Sequence, residues 1–168
     1  MKRRLSSSLV LGLGLALAGS CGPQVDLSEA LAVTDVLTGY YDNGPKDGGS
    51  HLVPSINFRL RNDSEAPLAG VQLTVQFWRD GDDGEWDSAL VTGIDENALA
   101  PGASTEPILV RLHVGYTQQG LLVDLFDHLD FRDTSARVFA RRGGRIILIG
   151  EFPLEHRLIP RFSDPGVQ

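Results

Sequence analysis

Acidic side chains are concentrated in one short stretch of the chain. Five carboxylates fall within eight residues: Asp80, Asp82, Asp83, Glu85 and Asp87. Carboxylate oxygens are the ligands that Ca²⁺ prefers. An EF-hand loop beginning at Asp80 would need Asp or Asn at its fifth position and Gly at its sixth, where this chain has Gly84 and Glu85. We therefore expect a solvated hairpin tip that keeps a sheet edge soluble, with a calcium- or carbohydrate-binding loop as the alternative.

Histidine and carboxylate side chains are close in sequence around His128. Asp127, Asp130 and Asp133 lie within five residues of it, and this is a ligand set that divalent transition metals accept. The other histidines are scattered along the chain: His51, His113 and His156. We therefore interpret the stretch as the polar face of a connecting segment. The sequence predicts no metal and no other cofactor.

Sequence motifs for covalent or phosphate chemistry are missing. Serine, histidine and aspartate are all present, but no Gly-x-Ser-x-Gly elbow surrounds a serine. No Gly-x-Gly-x-x-Gly motif and no P-loop occurs, and the pair Gly12 and Gly14 lies in a segment that we expect to be removed. We therefore predict that the protein is not an enzyme.

Three aromatic residues are candidates for contact with a partner protein. Trp78 falls on the polar phase of an alternating stretch, and Tyr40 and Tyr41 stand side by side near the end of another. Aromatic rings are enriched in protein interfaces. These three residues could form an exposed contact surface; for Trp78 the polar phase is consistent with exposure or with burial under a crossover segment.

Arginines are crowded near the end of the chain. Arg141, Arg142 and Arg145 lie within five residues. Such a cluster can dock an acidic partner or a lipid head group. The alternative is an ordinary charged turn, because Lys46 is the one lysine after residue 2 and arginine is this chain's usual cation.

The start of the chain has the organisation of a secretory signal. Residues 2–4 are basic, residues 5–17 are apolar apart from Ser and Gly, and residues 18–20 are small. The apolar run is too short for a comfortable transmembrane helix. Cys21 follows directly and is the only cysteine, so we expect no disulfide. The pattern predicts a signal peptide over residues 1–20.

The stretch Leu17-Ala18-Gly19-Ser20-Cys21 resembles the lipobox of bacterial lipoproteins. The resemblance implies that the Cys21 sulfur carries a diacylglyceryl group and that Cys21 becomes the first residue after cleavage. Two or more acyl chains anchor a protein stably. In that family Asp after the cysteine favours the inner membrane, and this chain has Gly22. The resemblance therefore implies a lipid-anchored protein of the cell envelope, in the outer membrane and facing the periplasm.

Charge and length restrict the classes of function. The chain has 168 residues and a net charge of −7, and removing the signal with its three basic residues leaves 148 residues and a charge of −10. Such a chain repels phosphate backbones, so we expect no nucleic-acid partner. A mature chain of this length suits one domain that buries its own core. The expected boundaries are 21–29 for a lipidated tether, 30–160 for the folded domain and 161–168 for a tail.

Strict alternation of apolar and polar residues predicts half-buried strands. It is clearest in two stretches, where the apolar phase consists of Ile56, Phe58 and Leu60 and then of Val71, Leu73, Val75 and Phe77. Strands are predicted over 31–41, 55–61, 71–78, 88–94, 108–114, 135–141 and 145–150. Residues 42–50 are rich in Gly and predict a loop. Residues 117–130 have leucines at helical spacing after Thr117, which predicts a short helix or an irregular crossover.

Together these segments predict an all-β fold, an immunoglobulin-like antiparallel β-sandwich of about seven strands. Residues 55–112 resemble the FxLYD-type immunoglobulin-like modules of envelope lipoproteins, through two alternating strands, a charged hairpin and the turn Leu99-Ala-Pro-Gly-Ala-Ser104. Val75-Gln-Phe-Trp78 stands where that family has its signature tetrapeptide. The resemblance implies no catalytic residues. We expect a non-enzymatic, lipid-anchored envelope protein with a protein-binding or structural role.

Overall fold

A computed structural model describes residues 26–160. The predicted signal peptide, Cys21 and the tail over 161–168 lie outside the described residues. The strands, in chain order, are β1 (Leu31–Lys46), β2 (Gly49–Asn62), β3 (Val71–Arg79), β4 (Glu85–Ile94), β5 (Ile108–Arg111), β6 (Tyr116–Gln118), β7 (Thr134–Arg142), β8 (Arg145–Pro153) and β9 (Leu158–Ile159). A one-turn helix, α1 (Leu27–Ala30), precedes β1, and a 3₁₀ helix (Leu122–Asp127) joins β6 to β7.

The strands form two sheets. The five-stranded sheet has the order β5-β2-β1-β9, with β6 also paired to β2, and the four-stranded sheet has the order β4-β3-β7-β8. All pairs are antiparallel except β1 with β9. The chain changes sheet after β2, β4, β6 and β8. This is a Greek-key path of the immunoglobulin-like kind, so the predicted all-β sandwich is confirmed.

The core lies between the sheets and is filled by the predicted apolar phases. Ile56, Phe58, Leu60, Val71, Leu73, Val75 and Phe77 are all fully buried. Ala136, Val138 and Ala140 of β7 are also fully buried and lie beside Phe77, Val75 and Leu73 on the inner face of the same sheet. The alternation in β2, β3 and β7 therefore identifies the inner face of both sheets.

The loop predicted from Gly-rich composition between β1 and β2 is wrong. Residues 42–50 were predicted to be a loop, yet both strands continue through most of them and the turn is confined to Asp47 and Gly48. Both turn residues have positive φ, 51° at Asp47 and 83° at Gly48. Such angles suit the tight primed turns that join twisted antiparallel strands. The last hairpin follows the prediction, with its turn at Gly143 and Gly144.

The segment from 117 to 130 is a crossover with a 3₁₀ helix rather than an α-helix. Thr117, the expected helix cap, lies in β6. Of the leucines at helical spacing, Leu125 is buried, whereas Leu121 and Leu129 are exposed. Phe126 and Phe131 pack against the core in their place. Aromatic packing at this end of the sandwich therefore overrides the leucine pattern.

The folded domain begins earlier than residue 30. Leu27 and Ala30 are 2% and 3% exposed and belong to the core cluster. The Asp26 carboxylate caps α1 by accepting a hydrogen bond from the Ser28 backbone N–H at 3.0 Å. The stretch expected to be a tether over 21–29 therefore ends inside the domain, and four residues lie between Cys21 and Asp26.

Asn62 holds together the two connections at the end of β2. It is fully buried, and its side-chain amide donates to the carbonyls of Ala66 and Leu99, each at 2.9 Å. Its side-chain oxygen accepts from the backbone and the hydroxyl of Ser64. These bonds satisfy both polar atoms of a buried amide, and they fix the loops that precede β3 and β5.

Candidate functional site

The outer face of the four-stranded sheet is the surface with the strongest binding features. We use this name for the side chains of β3, β4, β7 and β8 that point away from the core. Backbone register places them in rows, and the three central rows are Thr92, Gln72, Arg141 and Ile146, then Leu90, Thr74, Phe139 and Leu148, then Ser88, Gln76, Arg137 and Glu151. The rows run across all four strands because neighbouring strands are paired over their whole lengths.

Apolar side chains cross this face near the middle of the strands. Leu90 is 65% exposed, Ile146 is 62% exposed and Leu148 is 45% exposed, and Phe139 between them is half-buried. We call these four residues the apolar row. Phe139, Leu148 and Ile146 are neighbours on β7 and β8, and Thr74 of β3 separates Leu90 from them. Single exposed leucines are normal on protein surfaces, but neighbouring exposed apolar side chains are typical of an interaction site. None of the four belongs to the core cluster.

Trp78 lies on the same face, between the apolar row and the β3–β4 turn. The Arg137 guanidinium stacks 4.6 Å from its ring centroid and also bonds Glu151, with Arg137 Nε donating to the carboxylate at 3.0 Å. The Trp78 indole N–H is buried and has no hydrogen-bond acceptor among the described residues. This stack fixes the ring against the sheet. Trp78 is half-buried, so part of it remains available for contact.

Charged side chains lie toward both ends of the four-stranded sheet. Arg141, Arg142 and Arg145 lie around the β7–β8 turn, but only Arg141 shares the outer-face phase of Phe139 and Ile146. Within residues 26–160 none of the three arginines forms a salt bridge. Toward the other end, Glu85 begins β4 beside the β3–β4 turn, and Glu151 of β8 is bonded to Arg137 in the same row.

The edges of the four-stranded sheet are poor sites for adding a strand. β8 carries a bulge opposite Val138 and Phe139, where Ile149 is the extra residue. β4 is irregular at both ends, next to Val71 and next to Trp78. Bulges twist an edge and interrupt its row of free hydrogen-bonding groups. The face, rather than the edges, is therefore the available binding surface.

The acidic stretch occupies the β3–β4 hairpin tip, as its composition predicted. Residues 80–84 form the turn, and Glu85 and Asp87 begin β4. Asp82 is engaged by Arg79, whose Nη2 lies 2.7 Å from the carboxylate, and this bond raises the Arg79 pKa despite partial burial. Among residues 26–160, no three His, Cys, Asp or Glu side chains are arranged to hold a metal ion.

The carboxylates around His128 also fail to converge. His128 Nδ1 lies 3.7 Å from Asp130. Asp133 instead pairs with His156, which the sequence placed far away, at 2.7 Å from its Nε2. The His156 ring stacks on Phe126 with an interplanar angle of 4°. The Asp133–His156 pair therefore packs against the 3₁₀ helix, which contains Phe126.

Tyr40 and Tyr41, the two tyrosine candidates for a contact surface, are buried. Tyr40 is fully buried, its hydroxyl is 3.3 Å from the Thr134 hydroxyl, and burial raises its pKa. Its ring lies in an aromatic cluster with Tyr116, Phe126 and Phe131. Tyr41 is 9% exposed and is covered by the Arg111 guanidinium, 4.9 Å from its ring centroid. Both tyrosines are structural because the crossover segment and long arginine side chains cover them.

The apolar row was missed by reasoning from the sequence, although two signals were present. In β7 the inner phase contains two alanines while the outer phase carries Phe139. In β8 four consecutive apolar residues, 146–149, leave no polar phase. A large apolar residue at an outward-pointing position of a strand indicates that the outer face of the sheet is covered as well as the inner face.

Comparison with known proteins gives no family for this chain. No protein-family profile matches the sequence, and no curated protein is significantly similar to it. The likeness of residues 55–112 to envelope immunoglobulin-like modules therefore stays a prediction. Within residues 26–160, every helix is too short to cross a bilayer.

Proposed function

We propose that this protein is a non-enzymatic, lipid-anchored module of the cell envelope that binds another protein through the outer face of its four-stranded sheet. The observation that carries the proposal is the exposed apolar row. Leu90, Phe139, Leu148 and Ile146 are brought together from three strands. An exposed apolar patch with charged and polar surroundings is the usual composition of a protein-binding surface.

The composition of the patch favours a protein over a small ligand. A small-molecule site is a concave pocket that buries most of its ligand, whereas the apolar row follows a sheet of four strands. Trp78 and Arg137 border the row, and aromatic and arginine side chains are the residues most often responsible for binding energy at protein interfaces.

The proposed anchor would hold the domain close to the membrane. Lipidation of Cys21 is supported by the signal-like residues 2–20 and by the lipobox resemblance. Four residues lie between Cys21 and Asp26, and the five Cα–Cα steps of a fully extended chain span at most about 18 Å. The domain would therefore stand against the bilayer, where its partner is another envelope protein.

Photo-crosslinking in the living cell tests the proposal. A photoreactive amino acid at Leu90 or Leu148 should give a discrete crosslinked product with a protein. The matched control is Leu129, which is 101% exposed but lies in the crossover segment rather than on the outer face. Equal crosslinking from Leu129, or none from Leu90 and Leu148, would remove the basis for a binding face.

A further inference from the structure

We propose that the β7–β8 turn contacts anionic lipid head groups and thereby sets the orientation of the anchored domain on its membrane. The contact surface consists of Arg141, Arg142 and Arg145, and we call it the arginine turn. The inference rests on the lipid anchor of the proposed function, because the anchor brings this turn to a bilayer. It goes beyond that function, which concerns a protein bound by the outer face of the sheet.

The arginine turn lies at the end of the domain where the chain enters it. β1 begins at Leu31, which pairs with Asn62 at the end of β2. The connection after β2 leads to the start of β3, where Gln72 pairs with Arg141. The entry of the chain and the arginine turn are therefore at one end of the sandwich, and the β3–β4 turn is at the other.

Helix α1 places the arginine turn beside the tether. It packs against β8, whose first residue is Arg145. Hydrogen bonds from Ser28 lower the pKa of the Asp26 carboxyl, and the positive charge of Arg145 adds to this effect. Arg145 is therefore close to the first described residue of the chain. Because the tether from Cys21 to Asp26 spans at most about 18 Å, the arginine turn is held near the bilayer that carries the anchor.

The three arginines present their charges on both sides of the turn. Arg141 continues the outward phase of Phe139, and Arg142 continues the opposite phase, which includes the buried Ala140. Arg145 pairs with Arg142 and shares its side. All three are exposed, and none forms a salt bridge within the described part of the chain. Their guanidinium groups are therefore available to phosphate oxygens, which arginine binds through paired hydrogen bonds.

Acidic side chains lie on another side of α1, toward the β2–β3 connection. Glu29, Asp63 and Glu65 line a groove there together with Asp26, and Asp63 is paired with Arg61 at 2.6 Å. An anionic bilayer repels this acidic groove and attracts the arginine turn. Charges more than about 10 Å from the surface are screened by salt, so the side that faces the head groups matters more than the net charge. We therefore expect a tilted domain, with the arginine turn toward the bilayer and the acidic groove away from it.

The attraction orients the domain and does not anchor it. Each arginine near an anionic surface changes the ratio of docked to undocked molecules roughly fivefold, so three change it at most on the order of a hundredfold. Residues 21–168 carry a net charge of −10, which opposes the approach of an unanchored chain. The head-group contact therefore depends on a lipid that already holds the domain at the surface.

Fluorescence quenching by nitroxide-labelled head groups tests the contact. Residues 21–168 are coupled to a maleimide lipid in vesicles through the thiol of Cys21, the only cysteine, so the anchor is present whether or not the cell acylates that residue. A fluorescent amino acid replaces Gly144, in the arginine turn, where an added Cβ meets no atom within 4 Å. The vesicles contain phosphatidylcholine alone or phosphatidylcholine with phosphatidylglycerol.

We expect strong quenching at Gly144 on the anionic vesicles and much weaker quenching on the neutral ones. Glu65 is the matched reporter position at the same end of the domain, and it should be weakly quenched on both. Gly84, where an added Cβ also meets no atom within 4 Å, reports on the opposite end and should remain unquenched.

Charge removal tests the role of the arginines. A variant with Arg141→Gln, Arg142→Gln and Arg145→Gln should show the same quenching at Gly144 on both kinds of vesicle. Arg132→Gln, at an exposed arginine of the crossover segment, should leave the difference between the vesicles unchanged. Circular dichroism of each variant checks that the domain remains folded.

Two results would overturn the head-group contact. They are equal quenching at Gly144 on the two kinds of vesicle, and equal quenching at Gly144 and Glu65 on the anionic ones, since the tether alone explains either. A crosslink from the arginine turn to an acidic protein, without head-group quenching, would also overturn it. None of these results affects the protein-binding face, which crosslinking at Leu90 and Leu148 tests separately. Release of the wild-type protein from cell membranes by a salt wash would instead remove the anchor of the proposed function.

Discussion

Replacing Phe77 with alanine tests the placement of β3 between the two sheets. Phe77 is fully buried on the inner face, opposite Ala136 of β7. Moving such a side chain from water into a core stabilises the fold by about 1.5–3 kcal/mol. The cavity left behind by its removal adds to that loss, so Phe77→Ala should lower the free energy of unfolding by about 3–5 kcal/mol.

The effect is large compared with the stability of a domain of this size, which is about 5–15 kcal/mol. Urea unfolding followed by circular dichroism measures it. With a denaturant slope of about 2 kcal/mol per molar, the unfolding midpoint should fall by roughly 1.5–2.5 M. The reduced stability should appear as a shift of the midpoint with little change in slope.

Gln76→Ala is the matched control, one residue earlier on the same strand. Gln76 points to the outer face and is half-buried between Ser88 and Arg137. Its truncation should change the free energy of unfolding by less than about 0.5 kcal/mol. Small and equal effects at the two positions would refute the strand register, because period two then fails to separate the core from the surface.

Three further substitutions follow from particular contacts. Asn62→Ala should destabilise the fold by roughly 2–4 kcal/mol in urea unfolding, because it leaves the buried carbonyls that it bonded without donors; Asn97→Ala, at an exposed loop position, should have almost no effect. His51 is 5% exposed, and burial lowers its pKa from the ordinary 6.5. The neutral side chain therefore contributes its full stability above about pH 6.5, and this stability is lost on acidification. His51→Gln should make the melting temperature depend less on pH between about pH 7.5 and pH 5. A further variant replaces four acids of the hairpin tip with Asn and Ser: Asp80, Asp82, Asp83 and Glu85. Its melting temperature should be nearly unchanged or slightly raised. A calcium-dependent rise in melting temperature that the wild type shows and this variant lacks would instead establish a calcium site.

The sandwich was predictable because alternation reports burial directly. In β3 the residues from Val71 to Phe77 alternate without interruption, and every apolar one is buried. The segments whose structure was predicted wrongly are those to which this alternation does not apply. β9 has only two residues, which are too few to show a period. Gly44 lies inside β1, and Gly48 lies in the turn that follows β1.

The candidate site was less predictable because it is assembled from distant parts of the chain. Leu90 and Leu148 are almost sixty residues apart, and register through Thr74 and Phe139 places them in one row. Periodicity assigns a residue to one phase of its own strand, but it does not say which strands are neighbours. The burial of Tyr40 was missed for the same reason, since it depends on Phe126 and Phe131 of the crossover.

Membrane fractionation of the Cys21→Ser variant is the most direct test of a lipid-anchored domain. Without the proposed signal, residues 21–168 carry a net charge of −10, so acyl chains rather than electrostatic attraction are expected to hold the protein at a bilayer. The wild type should remain with the membranes after a high-salt wash, and Cys21→Ser should be released into the soluble fraction. A Cys21→Ser protein that stays with the membranes after that wash would contradict the account.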